Sequence, residues 1–532
     1  MRKTGFMLAI FFCFLLRVSG WVSAAEVPPH FFLPAPWEIP PEKRIIVSPE
    51  NAKDLPRIVG EAPEGATIFL RDGLYRLEGT IWVKTPGLSI RSLSGKRERV
   101  ILTGEYRVGE LINVQAPEVT VADLTLKEAY YHAIHLGGGG HHVKLLNLHI
   151  LDCGEQLVKV NPNRAGESND YGILAYSLLE FTEQGRHRIR DSLGNGSCYT
   201  NGIDILKARG WRIVANTFRN IYCPPGRSLP QAVLVWRGSR DTVVERNRIH
   251  NCPIGIQLGL GSQDRRRYED LPYTASHIGG VVRNNFVSAE GEIPFDTGIG
   301  LWAARGTFVL GNTVYVPGSA FASVDLRFEE TEAVVWNNLL FQAPRFRSGA
   351  RADLRANVIV GEAAWFRDAD AGDLHLHRRL PEVVDKGVPH ELLRRDIDGE
   401  PRSNPPDAGA DEFYGLAIRI TGPGEGGKFT PEERVGISVS FGPSTEPYRE
   451  VFLMAETPFG RFCYLYPGQW FPCGEPEVSY QGVVPPGDYP VFEGTLPPGL
   501  YRLVLFADRR PDSRPEGLGV ESSFKVEPGA DL

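Results

Sequence analysis

A short apolar phrase recurs through the middle of this chain, each copy carrying a polar residue, usually asparagine, where the backbone must turn. It reads VKLLNLHI around Asn147, WRIVANTF around Asn216, TVVERNRI around Asn247, VVRNNFV around Asn285, TFVLGNTV around Asn312 and AVVWNNLL around Asn338, with weaker copies at Asp123, Ser177 and Asn357. A unit repeated every few dozen residues cannot bury its apolar face alone and must stack on its neighbours, which is the signature of a solenoid. Each unit holds a second strand of the form apolar, outward, apolar: AIHL at Ala133, LVKVN at Leu157, GIDIL at Gly202, AVLVW at Ala232, GIQLG at Gly255, GIGLW at Gly298 and SVDLR at Ser323. Long helical periodicity is absent, so the expectation is an all-β parallel β-helix of about ten coils. Asparagine suits its turns because it tolerates left-handed backbone and its amide can bond the same group one coil away, forming a ladder. The spacings Ser177 to Asn216 and Asn247 to Asn285 are the longest, and loops are expected to project there.

At 532 residues the chain exceeds one ordinary core. Residues 1–25 read as a secretory signal: Arg2 and Lys3 give the charge, an apolar stretch too short to span a bilayer follows, and Ser23-Ala24-Ala25 offers a cleavage site. Its removal leaves Cys153, Cys198, Cys223, Cys252, Cys463 and Cys473, an even number that suits an oxidising compartment. Cys463 and Cys473 flank a hairpin at Tyr466-Pro467-Gly468 and are expected to pair; for the others, Cys198 with Cys223 and Cys223 with Cys252 both stand, against buried free thiols. The address is secreted, periplasmic or cell-surface. A net charge of -7 argues against nucleic acid as a partner, since binding it needs a basic footprint, and a monomer with no membrane span is expected.

Residues 48–59 read as a short helix, with Ser48 or Asn51 as cap, shielding the apolar end of the stack. The coil register is expected to begin with ATIFLRDGLYRL. Repeats fade near Asp373, and DIDGEPRSNPPDAGADEF from Asp396 reads as a terminal wrap. Beyond Gly415, two-faced strands such as LAIRITG, VGISVSF and LYRLVLFA between proline and glycine turns suit a β-sandwich. The expected organisation is a signal (1–25), a β-helix with an N-terminal cap (26–414) and a sandwich of immunoglobulin-like type (415–532).

The opening GATIFLRDGLYRL, the repeated V-x-x-N turns, the GI-x-L strands and the closing D-x-DG-x-PR with DAGADEF resemble secreted bacterial right-handed parallel β-helix proteins, the pectin-lyase-like group that includes polysaccharide lyases similar to chondroitinase B. The resemblance covers roughly 45–413 and implies a right-handed coil and a carbohydrate-active protein, with a polysaccharide as partner. Proteins that look similar over GEQLVKV, GIDI and GSRDTVVERNRI place histidines where this chain has Leu206 and Leu234.

With the alternation in register, one outward column reads His135, Lys159, Asp204, Leu234, Gln257, Gly300, Asp325, and the next includes Asn161, Leu206, Trp236, Trp302 and Arg327. Strands about 4.8 Å apart put Lys159 against Asp204 with His135 one step below. Eliminating across a uronic acid requires neutralising its carboxylate and removing the C5 proton. On this pattern Lys159 is the expected base, Arg237 neutralises the acid, Asp204 and His135 complete the catalytic set, and Trp236, Trp302, Asn161 and Gln257 hold sugar. Asp204 with Glu155 or Asn161 would be the oxygen donors for Ca2+, the one cofactor considered. The plainer readings are a surface ion pair for Lys159 and Asp204, loops covering the tryptophans, a solvated loop for Arg265, Arg266 and Arg267, and a solvated turn rather than a metal site at His132, His135, His141 and His142. Asp204 and Asp325 lie four coils apart, too far for paired-carboxylate hydrolysis. A lyase is therefore the leading reading and a non-catalytic adhesion or glycan-binding rod the other.

Overall fold

The computed structural model describes residues 33–194, 198–224, 227–261, 266–267, 274–291, 293–318, 320–377, 380–399, 402–413, 416–421, 428–441, 449–481, 484, 487–508 and 518–526. The expected signal, the sequon Asn195-Gly196-Ser197 and most of the arginine loop, including Arg265, lie outside these residues.

Period-2 alternation places one apolar set inward on every strand, and stacking those sets generates a right-handed parallel β-helix. Its walls are three parallel sheets of 14, 10 and 11 strands. In the ten-stranded sheet the strands follow chain order, from Ile81–Val83 through Glu110–Val114, His132–Leu136, Val158–Val160, Ile203–Leu206, Gln231–Trp236, Ile254–Leu258, Thr297–Trp302 and Ala322–Arg327 to Arg345–Arg347. One core column runs in register through Ile112, Ile134, Val158, Ile203, Val233, Ile256, Ile299 and Val324, each fully buried. Each such side chain contributes about 1.5–3 kcal/mol through burial. The coil starts earlier than expected, because Arg44–Val47 already pairs with Thr67–Leu70. The end is closed by a 3-10 turn, Pro49–Asp54, that runs into the α-helix Leu55–Glu61, with Leu55 and Val59 on the core. Neither expected cap residue, Ser48 or Asn51, caps it: Ser48 accepts no capping bond through its side chain, and Asn51 lies inside the 3-10 turn.

The ladder exists, displaced by one residue from the expected assignment at its start. Asn216 Nδ2 donates to Asn247 Oδ1 (3.0 Å), Asn247 to Asn285 (2.9 Å), Asn285 to Asn312 (2.9 Å), Asn312 to Asn338 (3.0 Å) and Asn338 to Asn357 (2.9 Å), while Ser177 N donates to Asn216 Oδ1. The left-handed residue is the one before each rung, namely Tyr176, Ala215, Arg246, Asn284, Gly311, Asn337 and Ala356. Asn147 and Asp123 occupy that left-handed position themselves and bond each other at 2.8 Å. Left-handed tolerance therefore does not explain the ladder asparagines. Saturating their hydrogen bonds inside the wall does.

The disulfides are Cys463–Cys473 and Cys198–Cys223, which removes the Cys223–Cys252 alternative; Cys153 and Cys252 are buried free thiols in the core. The wrap folds back along the stack, with Arg402 Nη2 donating to Asn284 Oδ1 and Asn337 Nδ2 to Val388 O. Beyond it, a sheet of Leu416–Thr421, Val435–Phe441 and Gly487–Gly494 faces a larger, mostly antiparallel one, and Ile437, Val439, Leu453, Leu503 and Phe524 form a core between them. Among the described residues no helix is long and apolar enough to cross a membrane.

Candidate functional site

The expected outward column is present in register. Trp82 pairs with Asn113, Asn113 with His135, His135 with Lys159, Lys159 with Asp204, and Asp204 with Leu234. Lys159 Nζ lies 2.5 Å from Asp204 Oδ2 and 3.5 Å from the Tyr199 hydroxyl, while Trp236 Nε1 donates to Asp204 Oδ1 at 2.8 Å. The surface ion-pair reading is corrected: Lys159 is only 6% exposed and Asp204 1%, because Tyr199, next to the Cys198–Cys223 disulfide, and the Trp236 indole cover them. Burial would lower the Lys159 pKa, but the Asp204 charge and the Tyr199 and Asp204 hydrogen bonds outweigh it and raise it. The amine is held protonated, a state in which it cannot accept a proton. Arg237 sits with its guanidinium 4.8 Å from the Trp236 ring centroid.

One rung below, His135 Nδ1 meets Glu110 Oε1 at 2.6 Å, and Asn113 Nδ2 donates to Glu110 Oε2 at 2.6 Å. Burial acts to raise the Glu110 carboxyl, and the His135 hydrogen bond and charge more than offset it, leaving it lowered. Glu110 is therefore ionised, so His135 holds its Nδ1 proton toward it. The other imidazole nitrogen, Nε2, is buried and has no hydrogen-bond partner among the described residues. Beside it, His132 Nδ1 meets Gln156 O at 3.0 Å, and burial followed by the neighbouring His135 pushes its pKa down to about 3, so it is neutral. Glu155 bonds Ser192, and burial raises its pKa. Arg190 lies 3.9 Å from the ring centroid of Tyr130, which is exposed like Tyr131. His141 instead accepts from Asp170 N and His142 stacks on Tyr171, so the four histidines do not converge on a metal.

The remaining expected residues lie apart. Gln257 Nε2 donates to Gly259 O, and its side chain occupies the place a Gly300 Cβ would take, 2.1 Å from Oε1. Trp302 Nε1 donates to Asp325 Oδ2 at 2.6 Å, and Arg347 binds both oxygens of that carboxylate. Asn161 accepts through its backbone carbonyl from Asn169 Nδ2, and its side-chain Oδ1 is buried without a partner among the described residues. The expected Ca2+ donors do not fit an ion, since both Asp204 oxygens accept from Lys159 and Trp236. A second trio, His375, Asp398 and Asp411, brings ligand atoms within 4.8 Å of one another in the wrap, yet both His375 nitrogens already meet carboxylates, Asp373 and Asp398. Glu110, Asn113 and Trp82 were missed by the sequence reading. Running the apolar, outward, apolar template back two coils, over LINV and IWV, finds Asn113 and Trp82.

No family model matches the chain, and no curated protein matches it. Among solved structures it is similar to pectate lyase Pel9A, at 14% identity and a TM-score of 0.45 over 69% of this chain and 96% of that one. It is also similar to the PL6 family alginate lyase AlyGC, at 14% identity and a TM-score of 0.29 over 73% and 61% of the two chains. A third likeness is to the catalytic unit of a GH87 α-1,3-glucanase from Streptomyces thermodiastaticus strain HF3-3, at 11% identity and a TM-score of 0.32 over 60% and 66%. Likenesses this distant decide nothing about activity, and the β-helix assignment rests on the strand register itself.

Proposed function

We propose that the chain is an exported carbohydrate-active enzyme, a polysaccharide lyase that cleaves an acidic polysaccharide by β-elimination at His135. The observation that carries this is the Glu110–His135 pair with His135 Nε2 buried yet unpartnered, a nitrogen that a substrate proton reaches once the side chains over it give way. A carboxylate on Nδ1 orients the ring and stabilises the imidazolium formed when Nε2 takes a proton. In the reaction the C5–H bond breaks with its proton passing to Nε2, and its electrons form the C4–C5 double bond. The C4–O bond to the leaving chain breaks with its electrons staying on the leaving oxygen, which takes a proton from water. Lys159 is neutralised by its ion pair with Asp204 and covered, so the base role expected of it passes to His135. The two disulfides suit an oxidising compartment and support export. Mass spectrometry of products from a panel of uronic-acid polymers tests the proposal: elimination leaves one product end short of a water, whereas hydrolysis does not.

One observation favours a non-catalytic glycan-binding rod. Lys159, Asp204 and Trp236 satisfy one another, as Asp325, Trp302 and Arg347 do further along, and the Lys159, Asp204 and Asp325 charges are buried. Retention of a uronic polymer on the immobilised protein without any new chain ends would establish that reading instead.

A further inference from the structure

We infer that Trp82 and Lys84 form a remote subsite that seats an acidic sugar of the same polymer, two rungs from His135. This rests on the proposed reading of the His135 site and names how the chain lies across it. Ile81 and Val83 point into the core, while Trp82 between them faces outward and is 44% exposed. The register carries Trp82 onto Asn113 and Asn113 onto His135, so the indole stands about 9.6 Å along the wall from the imidazole, two strand spacings. Lys84 is exposed on the same face, its Nζ 5.5 Å from the Trp82 ring centroid. Gln115 is exposed just past the end of the next strand, and Gly137 follows in that row without a side chain; a Cβ there would lie 3.5 Å from Gln115 Nε2.

These groups have complementary uses. An indole face offers a surface for sugar C–H groups, an ammonium beside it meets a carboxylate, and the Gln115 amide can donate to and accept from hydroxyls. Between Trp82 and His135 the column holds Asn113, which is buried and bonded to Glu110, so no side chain stands up between this shelf and His135 and a polymer can pass from one to the other. One sugar unit cannot touch both Trp82 and His135. The chain therefore runs along the stack, perpendicular to the strands, with the shelf engaging a unit away from the reacting one. A polymer lying along the strands would meet Trp82 and His135 only on separate molecules.

The test is calorimetric binding of oligogalacturonates and oligomannuronates, as trisaccharides and octasaccharides, to the full chain carrying His135→Ala so that no turnover intervenes. The expected result is that Trp82→Ala weakens octasaccharide binding roughly tenfold, with a smaller loss for the trisaccharide. Lys84→Gln should give a loss that shrinks as salt is raised. If both variants bind octasaccharides as tightly as the parent, the subsite is overturned while the proposed function stands. If the parent binds neither oligomer series while the wild type still cleaves a uronic polymer, the subsite fails and the lyase survives. If the wild type neither binds nor cleaves, both fall. Circular dichroism of each variant separates lost binding from lost folding.

Discussion

His135 and Lys159 are neighbours on adjacent strands, yet their surroundings give them opposite work. Both sites are largely buried, but Glu110 holds one imidazole nitrogen and leaves the other unpartnered, whereas Asp204 and Tyr199 saturate the lysine amine and keep it charged. Lys159→Met leaves the Asp204 carboxylate buried without its partner, an expected loss of about 3–5 kcal/mol of stability. Chemical denaturation of Lys159→Met against the double variant Lys159→Met/Asp204→Asn checks it, since neutralising the carboxylate should recover part of the loss. The pairing itself was legible in the sequence because strand alternation and coil length fix which residues become vertical neighbours. The burial was not, because it depends on Tyr199 and Trp236 folding over the column. Glu110 was hidden for a different reason: it opens its strand and reaches His135 from the adjacent rung, outside the column that alternation defines.

At the scale of elements, the asparagine ladder ties coil to coil. Asn285 donates to Val244 O, Arg283 O and Asn312 Oδ1, and its own Oδ1 accepts from Asn247. Asn285→Ala orphans several buried groups at once, each costing about 1–3 kcal/mol, and a fall in the unfolding midpoint much larger than for an exposed Asn→Ala change is the expected outcome. The terminal wrap is tied down by charge. Burial works against a charged His375, but hydrogen bonds to Asp373 and Asp398 overcome it and lift its pKa to about 10. That stabilisation is complete below the ordinary histidine pKa and is lost as pH rises through about 10. Burial and then Glu412 push Asp407 up to about 8, so its forced ionisation above the ordinary aspartate range also weakens the fold as pH rises toward that value. Both contributions have the same sign. The unfolding midpoint should fall between pH 7 and 10, and His375→Gln should flatten the part of that fall due to the imidazole; a midpoint that rises with pH would contradict the clasp.

For the molecule as a whole, a long, thin core made of stacked columns is followed by a second core between two sheets, with no residue shared between them. We propose that the sandwich is a domain of its own joined near residues 414–415, and limited proteolysis should release it as a folded fragment of just over a hundred residues. The fold was legible because a solenoid writes its period into the sequence many times over. The site was legible only in part, because chemistry depends on single residues that occur once. The most direct measurement is the absorbance of unsaturated ends when uronic-acid polymers are incubated with wild type and His135→Ala, with and without chelator. Elimination by the wild type that is insensitive to chelator and falls about 10²–10⁴-fold in His135→Ala is the result this account predicts. Undiminished activity in His135→Ala, or no unsaturated ends from any uronic polymer, would contradict it.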